Sequence, residues 1–186
     1  MWKIIAAAIV FAVTPAYAQS VTIFGGNSDA QECYMQTKLP GGSSGVQYCN
    51  RALNSNALSE RDKAATLVNR GILYNHLRRY AEAEADFKAA LEVDADSGEA
   101  YINWGNTKIF LKDFEAAKAD YTKAIDMAAQ GINVKDLHAA YYNRGLAHEA
   151  LKDLKAAFED FVEAERLKPE WSMALERVDK YRANGF

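Results

Sequence analysis

The residues that could carry chemistry in this chain are few and scattered. Its three histidines, His76, His138 and His148, have no histidine or cysteine partner at the spacing of a metal site. Aspartate and glutamate alternate with lysine and arginine at helical surface spacing, which is typical of solvated helix faces. The sequence contains no nucleophile elbow, phosphate-binding glycine loop or zinc-protease motif. We therefore predict that the chain is not an enzyme and holds no cofactor and no metal.

The two cysteines, Cys33 and Cys49, allow two interpretations. A disulfide is favoured if the chain is secreted, because oxidation is possible there, and it would stabilise the fold by about 3 kcal/mol. The alternative is two small buried thiols, since free cysteine is among the most buried residue types. The spacing is not that of a C-x-x-C redox motif, so we assign no thiol chemistry.

The first 18 residues have the pattern of a secretory signal peptide. Lys3 supplies the positive charge, a short apolar run follows, and Ala16 and Ala18 form an A-x-A cleavage site. The alternative is a short N-terminal anchor or buried helix. We expect a mature chain that begins at Gln19 and is located in the periplasm.

Charge and hydropathy limit the class of partner. No later apolar run is long enough to span a bilayer, so we expect no membrane span after signal removal. The net charge of −3 is mildly acidic, which does not favour binding to nucleic acid.

An asparagine two positions before a glycine occurs three times in the chain. The copies are Asn69-Arg70-Gly71, Asn103-Trp104-Gly105 and Asn143-Arg144-Gly145, and each is followed by an alanine and an aspartate-aromatic pair. The glycines are 34 and 40 residues apart, which is the period of a two-helix unit with six residues inserted before the third copy. Such units stack on their neighbours to bury their apolar faces.

The repeats predict how the chain is divided. We expect a flexible leader over residues 19–27, a degenerate helical hairpin over 28–58, repeats over 64–97, 98–137 and 138–169, and a capping helix over 170–186. The second repeat carries the extended inter-repeat loop, because insertions in solenoids fall between repeats.

Small and aromatic residues recur at fixed positions in each block, and this pattern resembles the tetratricopeptide repeat (TPR) family. The matching positions are Leu67, Gly71, Tyr74, Ala83, Phe87 and Ala90 in the first block, Tyr101, Gly105, Ala117, Tyr121 and Ala124 in the second, and Tyr141, Gly145, Ala157, Phe161, Ala164 and Pro169 in the third. Lys108 and His148 depart from the family's aromatic position. The resemblance implies an all-α, right-handed superhelical solenoid of antiparallel helix hairpins.

The resemblance also implies a concave groove that binds a protein or peptide segment. The residues expected to line it are Asn69, Ile72, Ile102, Asn103, Asn106, Ile109, Phe110, Tyr142, Asn143 and Leu146. The asparagines either pair with the backbone of an extended ligand or pack one helix against another. Family members that clamp an acidic C-terminus use lysines and arginines here, so we expect an apolar or aromatic segment instead.

Two functional interpretations follow from the groove. The chain is a non-catalytic adaptor that holds a protein segment in the cell envelope, or it is a self-associating assembly protein in which the groove or cap contacts another copy. Burial of the groove by the chain's own leader is a third possibility for the same surface.

Two arginines recur with aspartates at a fixed spacing. Arg70 and Arg144, which recur with Asp86 and Asp160, either form ion pairs between helices or are separately solvated.

Overall fold

The computed structural model describes residues 26–39, 43–55 and 57–186, and every regular element in those ranges is an α-helix. The helices are α1 (Ser28–Gln36), α2 (Ser43–Asn54), α3 (Glu60–His76), α4 (Tyr80–Val93), α5 (Gly98–Phe110), α6 (Phe114–Ala129), α7 (Leu137–Ala150), α8 (Leu154–Leu167) and α9 (Ser172–Ala183). The predicted signal peptide and residues 19–25 of the predicted leader lie outside the described residues.

Polar side chains cap the N-termini of most of the helices in the repeats. The hydroxyl of Ser59 accepts a hydrogen bond from the Asp62 amide at the start of α3. Asp113 and Asp153 accept in the same way at the starts of α6 and α8.

The turns inside the three helix pairs use a basic residue where glycine is more common. Arg78, Lys112 and Lys152 take positive φ angles of 58°, 62° and 67°. The amide of the following residue then reaches back to close the helix, as in the 2.8 Å bond from the Arg79 amide to the Tyr74 carbonyl. Because a non-glycine residue makes each of these turns, glycine could not mark them in the sequence.

Each repeat glycine lies directly against an aromatic ring of its partner helix. A Cβ atom at Gly71 would approach the Phe87 ring within 2.6 Å, and one at Gly105 would approach the Tyr121 ring within 2.7 Å. Gly145 meets Phe161 in the same way, at 2.8 Å. The glycines are therefore what lets the two helices of a pair approach closely.

The repeats form two layers. The first helix of each pair, α3, α5 and α7, contacts the next first helix along the chain, and we call these the inner helices. The second helices, α4, α6 and α8, pack behind them as the outer helices. The N-terminal hairpin extends the arrangement, since α1 contacts α3 in the inner layer and α2 contacts α3 from the outer side.

The last helix, α9, covers the end of the third pair as the expected cap. Its Val178 and Tyr181 and the preceding Trp171 join one core cluster with Tyr142 and Phe161. The side of α9 that points away from this cluster is exposed and polar, so it does not continue the stack.

Cys33 and Cys49 form a disulfide that joins α1 to α2, which confirms the favoured interpretation. Their Cα atoms are 4.9 Å apart, and both residues are fully buried beside Val46 and Leu73. The alternative of two free thiols is wrong.

Both helices of the predicted N-terminal hairpin form, with α1 ending at Gln36 and α2 beginning at Ser43. Between α6 and α7 the inserted residues form a loop in which Gly131 has a φ of 89°. Val134 of this loop packs on Gly98, where a Cβ would come within 2.5 Å, so the insertion is anchored on the start of α5.

Candidate functional site

The repeated asparagines point away from the outer helices. Each lies two positions before a glycine that contacts an outer-helix ring, and two positions are about 200° of rotation on an α-helix. We call the side of α3, α5 and α7 that is turned from the outer helices the inner face. Asn69, Asn103 and Asn143 are thus placed on it.

Amide side chains tie neighbouring inner helices together. The Asn106 carbonyl oxygen accepts from the Asn143 amide at 2.9 Å and from the Tyr121 hydroxyl at 2.7 Å. Between α3 and α5 the Asn75 amide donates to the Thr107 hydroxyl at 2.9 Å. For Asn106 and Asn143 the packing interpretation therefore holds. Among the described residues, the buried carbonyl oxygen of Asn143 has no hydrogen-bond donor.

Nine of the ten residues predicted to line the groove are buried. The buried nine are Asn69, Ile72, Ile102, Asn103, Asn106, Ile109, Tyr142, Asn143 and Leu146. Tyr142 and Leu146 are covered because α9 packs on α7 much as a further inner helix would. Ile102 and Ile109 share a core cluster with Ala140 and Ala147 of α7. The part these residues play in binding stays a prediction.

Phe110 is the member of that set that remains partly accessible. It lies at the C-terminal end of α5 and stacks on Tyr80, with ring centroids 5.6 Å apart. An aromatic pair at the edge of a face rich in amides is suited to an apolar side chain of a bound segment. Replacing Phe110 tests binding more cleanly than replacing Tyr142, whose loss would open a cavity in the core.

Two arginines of the inner helices form ion pairs with the outer helices. Arg70 contacts both carboxylate oxygens of Asp86, at 2.7 and 2.6 Å, and Arg144 contacts Asp160 at 2.9 and 2.7 Å. Burial acts to lower the pKa of Arg144, but the hydrogen bonds and charge of Asp160 outweigh it and the pKa is raised. These arginines are structural, and the interpretation as separately solvated charges is wrong.

The middle repeat replaces this pair with a lysine. Trp104 occupies the arginine position, and Lys108, one turn later, lies 2.6 Å from Asp120 and 4.3 Å from the centre of the Trp104 ring. The Trp104 indole N–H donates to Glu84 at 3.1 Å. Sequence reasoning identified Lys108 as a departure from the aromatic position and missed this role. The signal was there, since the arginine is lost in the same repeat that gains a lysine four residues later.

Titratable groups do not converge on a catalytic arrangement. Within the ranges that the structure describes, no group of three or more histidine, cysteine, aspartate or glutamate side chains could hold a metal ion. Burial lowers the pKa of His76 and of His138, which favours their neutral forms at neutral pH. Likewise, none of the described helices is both long and apolar enough to cross a membrane.

Comparison with known proteins identifies the repeats. The tetratricopeptide repeat model matches residues 64–97, 98–130 and 138–170. RNA polymerase II-associated protein 3 of Xenopus laevis is 31% identical over 69 residues, and its counterpart in Xenopus tropicalis is 30% identical. In both cases the match covers 37% of this chain and only 10% of the relative, so it concerns the repeat unit alone.

Solved structures share the fold at low sequence identity. The first TPR domain of Spaghetti (RPAP3), bound to the HSP90 peptide SRMEEVD, is 24% identical with a TM-score of 0.60, covering 68% of this chain and 95% of that one. MamA is 19% identical with a TM-score of 0.63 and covers 84% of each chain. The second TPR domain of human RPAP3, in complex with the HSP70 peptide SGPTIEEVD, is 21% identical with a TM-score of 0.58, covering 67% of this chain and 98% of that one.

These likenesses confirm the predicted all-α repeat fold. The three matched stretches cover more than half of the sequence, and the same residues form the three helix pairs of the structure. The chain therefore belongs to the tetratricopeptide repeat family.

Proposed function

We propose that this chain is a non-catalytic protein-interaction module whose inner face holds an extended, uncharged segment of a partner protein. The observation that carries the proposal is the composition of that face, on which Asn69 and Asn103 lie beside Ile72 and the partly accessible Phe110. Amide side chains can pair with an extended backbone, and apolar residues accommodate its side chains. The peptide-bound TPR domains among the similar structures support a peptide ligand.

The ligand differs in charge from the peptides of those two complexes. Both peptides end in the acidic sequence EEVD. In this chain Arg70, Lys108 and Arg144 are each paired with an aspartate of an outer helix, so their charges are directed away from the inner face. A buried acidic ligand without a cationic partner would be costly. The inner face therefore selects against acidic C-termini.

The module acts in the cell envelope. The signal-peptide pattern of residues 1–18 supports this location, and so does the Cys33–Cys49 disulfide, because such bonds persist in oxidising compartments. N-terminal sequencing of the protein recovered from a periplasmic fraction should begin at Gln19. A chain found in the cytosol with its first 18 residues intact would contradict the location.

A displayed library of random heptapeptides tests the ligand class. Selection on the chain should enrich uncharged sequences with β-branched and aromatic residues, and a synthetic SRMEEVD peptide should not bind. Enrichment of acidic C-termini would overturn the proposal.

Two neighbouring substitutions then locate the binding surface. Phe110→Asp should weaken binding of a selected peptide by about tenfold or more, which is ~1.4 kcal/mol, because a carboxylate replaces an aromatic contact. Leu111→Asp is the matched control, since Leu111 is 48% exposed in the turn after α5. Equal dissociation constants for both variants, measured by fluorescence anisotropy, would place the binding surface elsewhere.

A further inference from the structure

The C-terminal ends of α1, α3, α5 and α7 lie side by side along one edge of the molecule. Each of these helices forms a hairpin with the helix that follows it and packs beside the next one in the inner layer. We call this side of the molecule the turn edge. Packed helices are about 8–10 Å apart, so the three steps from α1 to α7 span roughly 24–30 Å.

The turn edge presents an exposed cation after each of these helices. Lys38 follows α1, and Arg78, Lys112 and Lys152 follow α3, α5 and α7 at the positive-φ position of each turn. None of the salt bridges among the described residues involves these four cations. Lys38 donates to the Tyr34 hydroxyl at 2.7 Å, which leaves its charge without a counterion.

The carboxylates near the turn edge are already engaged. Asp113 and Asp153 cap α6 and α8. Glu82 is paired with Arg79 at 2.8 Å, and Glu115 is paired within its own helix. The unpaired cations therefore give this edge a positive charge, although the whole chain has a net charge of −3.

The opposite edge does not repeat this pattern. There each outer helix leads into the next inner helix, and Asp94, Asp96 and Glu99 are grouped at the junction of α4 and α5. In the loop between α6 and α7, Lys135 is followed directly by Asp136. A negatively charged surface would therefore attract the molecule by its turn edge.

Exposed apolar side chains are concentrated on the same edge. Met35 and Leu39, at the end of α1, are 52% and 51% exposed, and Leu111, after α5, is 48% exposed. They are three of the four large apolar side chains that are exposed in the described ranges. Leu77 and Leu151 occupy the position of Leu111 after α3 and α7. Leucines and cations thus occur together at each step along the edge.

We propose that the turn edge binds the surface of an anionic lipid bilayer, with its leucines at the level of the headgroups and its cations against the lipid phosphates. Each cation near such a surface strengthens binding by about fivefold, and apolar side chains beside the cations enter the boundary between headgroups and acyl chains. An acidic peptide would match the cations alone, whereas a bilayer also takes up apolar side chains along the whole edge. This inference does not rest on the proposed peptide binding.

Vesicle co-sedimentation tests the lipid class. The apolar residues 4–13 would bind lipid by themselves, so the experiment uses the chain from Gln19, which contains every described helix. This chain should bind vesicles of equal parts phosphatidylglycerol and phosphatidylcholine in low salt, and an increase to about 500 mM salt should weaken binding at least tenfold. Equal binding to vesicles of phosphatidylcholine alone would overturn the proposal.

Two double variants locate the surface. Lys112→Gln with Lys152→Gln should lower the lipid partition coefficient about 25-fold, since two cations are lost at about fivefold each. Lys88→Gln with Lys123→Gln removes the same charge from exposed positions on the outer helices α4 and α6, and it should change the coefficient by less than about threefold. Equal losses in the two double variants would show a response to net charge alone and would count against the turn edge.

A fluorescent label reports whether the edge enters the headgroup layer. Leu111→Cys can be labelled selectively with an environment-sensitive dye, because the native cysteines are bridged. Its emission should shift to shorter wavelength when the phosphatidylglycerol vesicles are added, whereas the same dye at Lys135→Cys, on the opposite edge, should not respond. An equal shift at both positions would contradict the orientation. Binding to poly-L-glutamate without binding to the vesicles would assign the edge to an acidic protein instead, and the proposal would be wrong.

Discussion

At the scale of single residues, some recurring positions of each repeat pack the two helices of a pair together, and we propose that others recognise a partner. The glycine and the aromatic ring that it contacts set the distance between the two helices of a pair, and the asparagine on the opposite side of the same helix contributes to the inner face. Asn106 and Asn143 show that an amide on this face can also join two inner helices. One residue type therefore serves two purposes within a single layer.

Gly105→Ala should destabilise the fold by about 1–3 kcal/mol. The added Cβ would lie 2.7 Å from the Tyr121 ring, which is fully buried and held by its hydroxyl bond to Asn106, so the ring has little room to move. Urea unfolding measures the loss. Gly26→Ala is the control, because nothing lies within 4 Å of its Cβ position, and an equally large loss there would contradict the packing argument.

Asp120→Asn should change how stability depends on pH. Burial raises the pKa of Asp120 despite the opposing effect of Lys108, so folding favours the protonated carboxyl. This contribution is complete below the unfolded-state pKa of about 3.9 and is lost as pH rises through the higher folded-state pKa. The asparagine variant, which cannot ionise, should therefore gain in melting temperature relative to the unmodified chain between about pH 4 and pH 7. A melting temperature that falls relative to the unmodified chain as pH rises over that range would contradict this direction. The loss of the Lys108 partner shifts the melting temperature of the variant at every pH, but it does not change this comparison.

The recurrence of residue types predicted the glycines and the aromatic rings that pack on them, whereas the inner-face asparagines were implied by the family resemblance. The partners of charged side chains were harder to predict. Arg70 and Asp86 are 16 residues apart, and the repeat suggested their contact. Lys108 pairs with Asp120 from a position one helical turn after the lost arginine, which only the paired loss and gain of charge in that repeat marks. The burial of Tyr142 was missed because it depends on where α9 packs.

At the scale of helices, the terminal elements hold the stack closed by different means. The N-terminal hairpin uses the Cys33–Cys49 disulfide. The C-terminal helix uses an aromatic cluster and a buried ion pair, in which Arg177 lies 2.9 Å from Glu149 of α7. Burial acts to lower the pKa of Arg177, but the charge of Glu149 outweighs it, so the arginine stays charged.

Glu149→Ala should destabilise the chain by about 3–5 kcal/mol, because it leaves Arg177 buried without its partner. The double variant Glu149→Leu, Arg177→Met should recover most of that loss, since apolar side chains carry no unpaired charge. Chemical unfolding of both variants gives the comparison. If the double variant is as unstable as the single one, packing at this contact matters more than charge compensation.

The three helix pairs were predictable from the repeat period. The path of the loop between α6 and α7 was not predictable, because Val134 anchors it on Gly98 through a tertiary contact.

At the scale of the whole molecule, one side of the inner layer packs on the outer helices, and we propose that the other side is the recognition surface. The outer helices and both terminal elements stabilise the fold. The exposed side of α9 bears Glu176, Asp179 and Lys180, and these charges do not favour continuation of the stack by a second copy. We therefore expect a monomer in sedimentation experiments up to ~100 μM. A dimer whose formation is blocked by Phe110→Asp would instead support the self-associating alternative.

The central claim is that the inner face is the recognition surface, and an NMR titration with a selected uncharged heptapeptide tests it most directly. The side-chain amide signals of Asn69 and Asn103 and the backbone signals of α3 and α5 should shift, while those of the outer helices α4, α6 and α8 should stay in place. Shifts confined to the outer helices or to the loop between α6 and α7 would contradict the account.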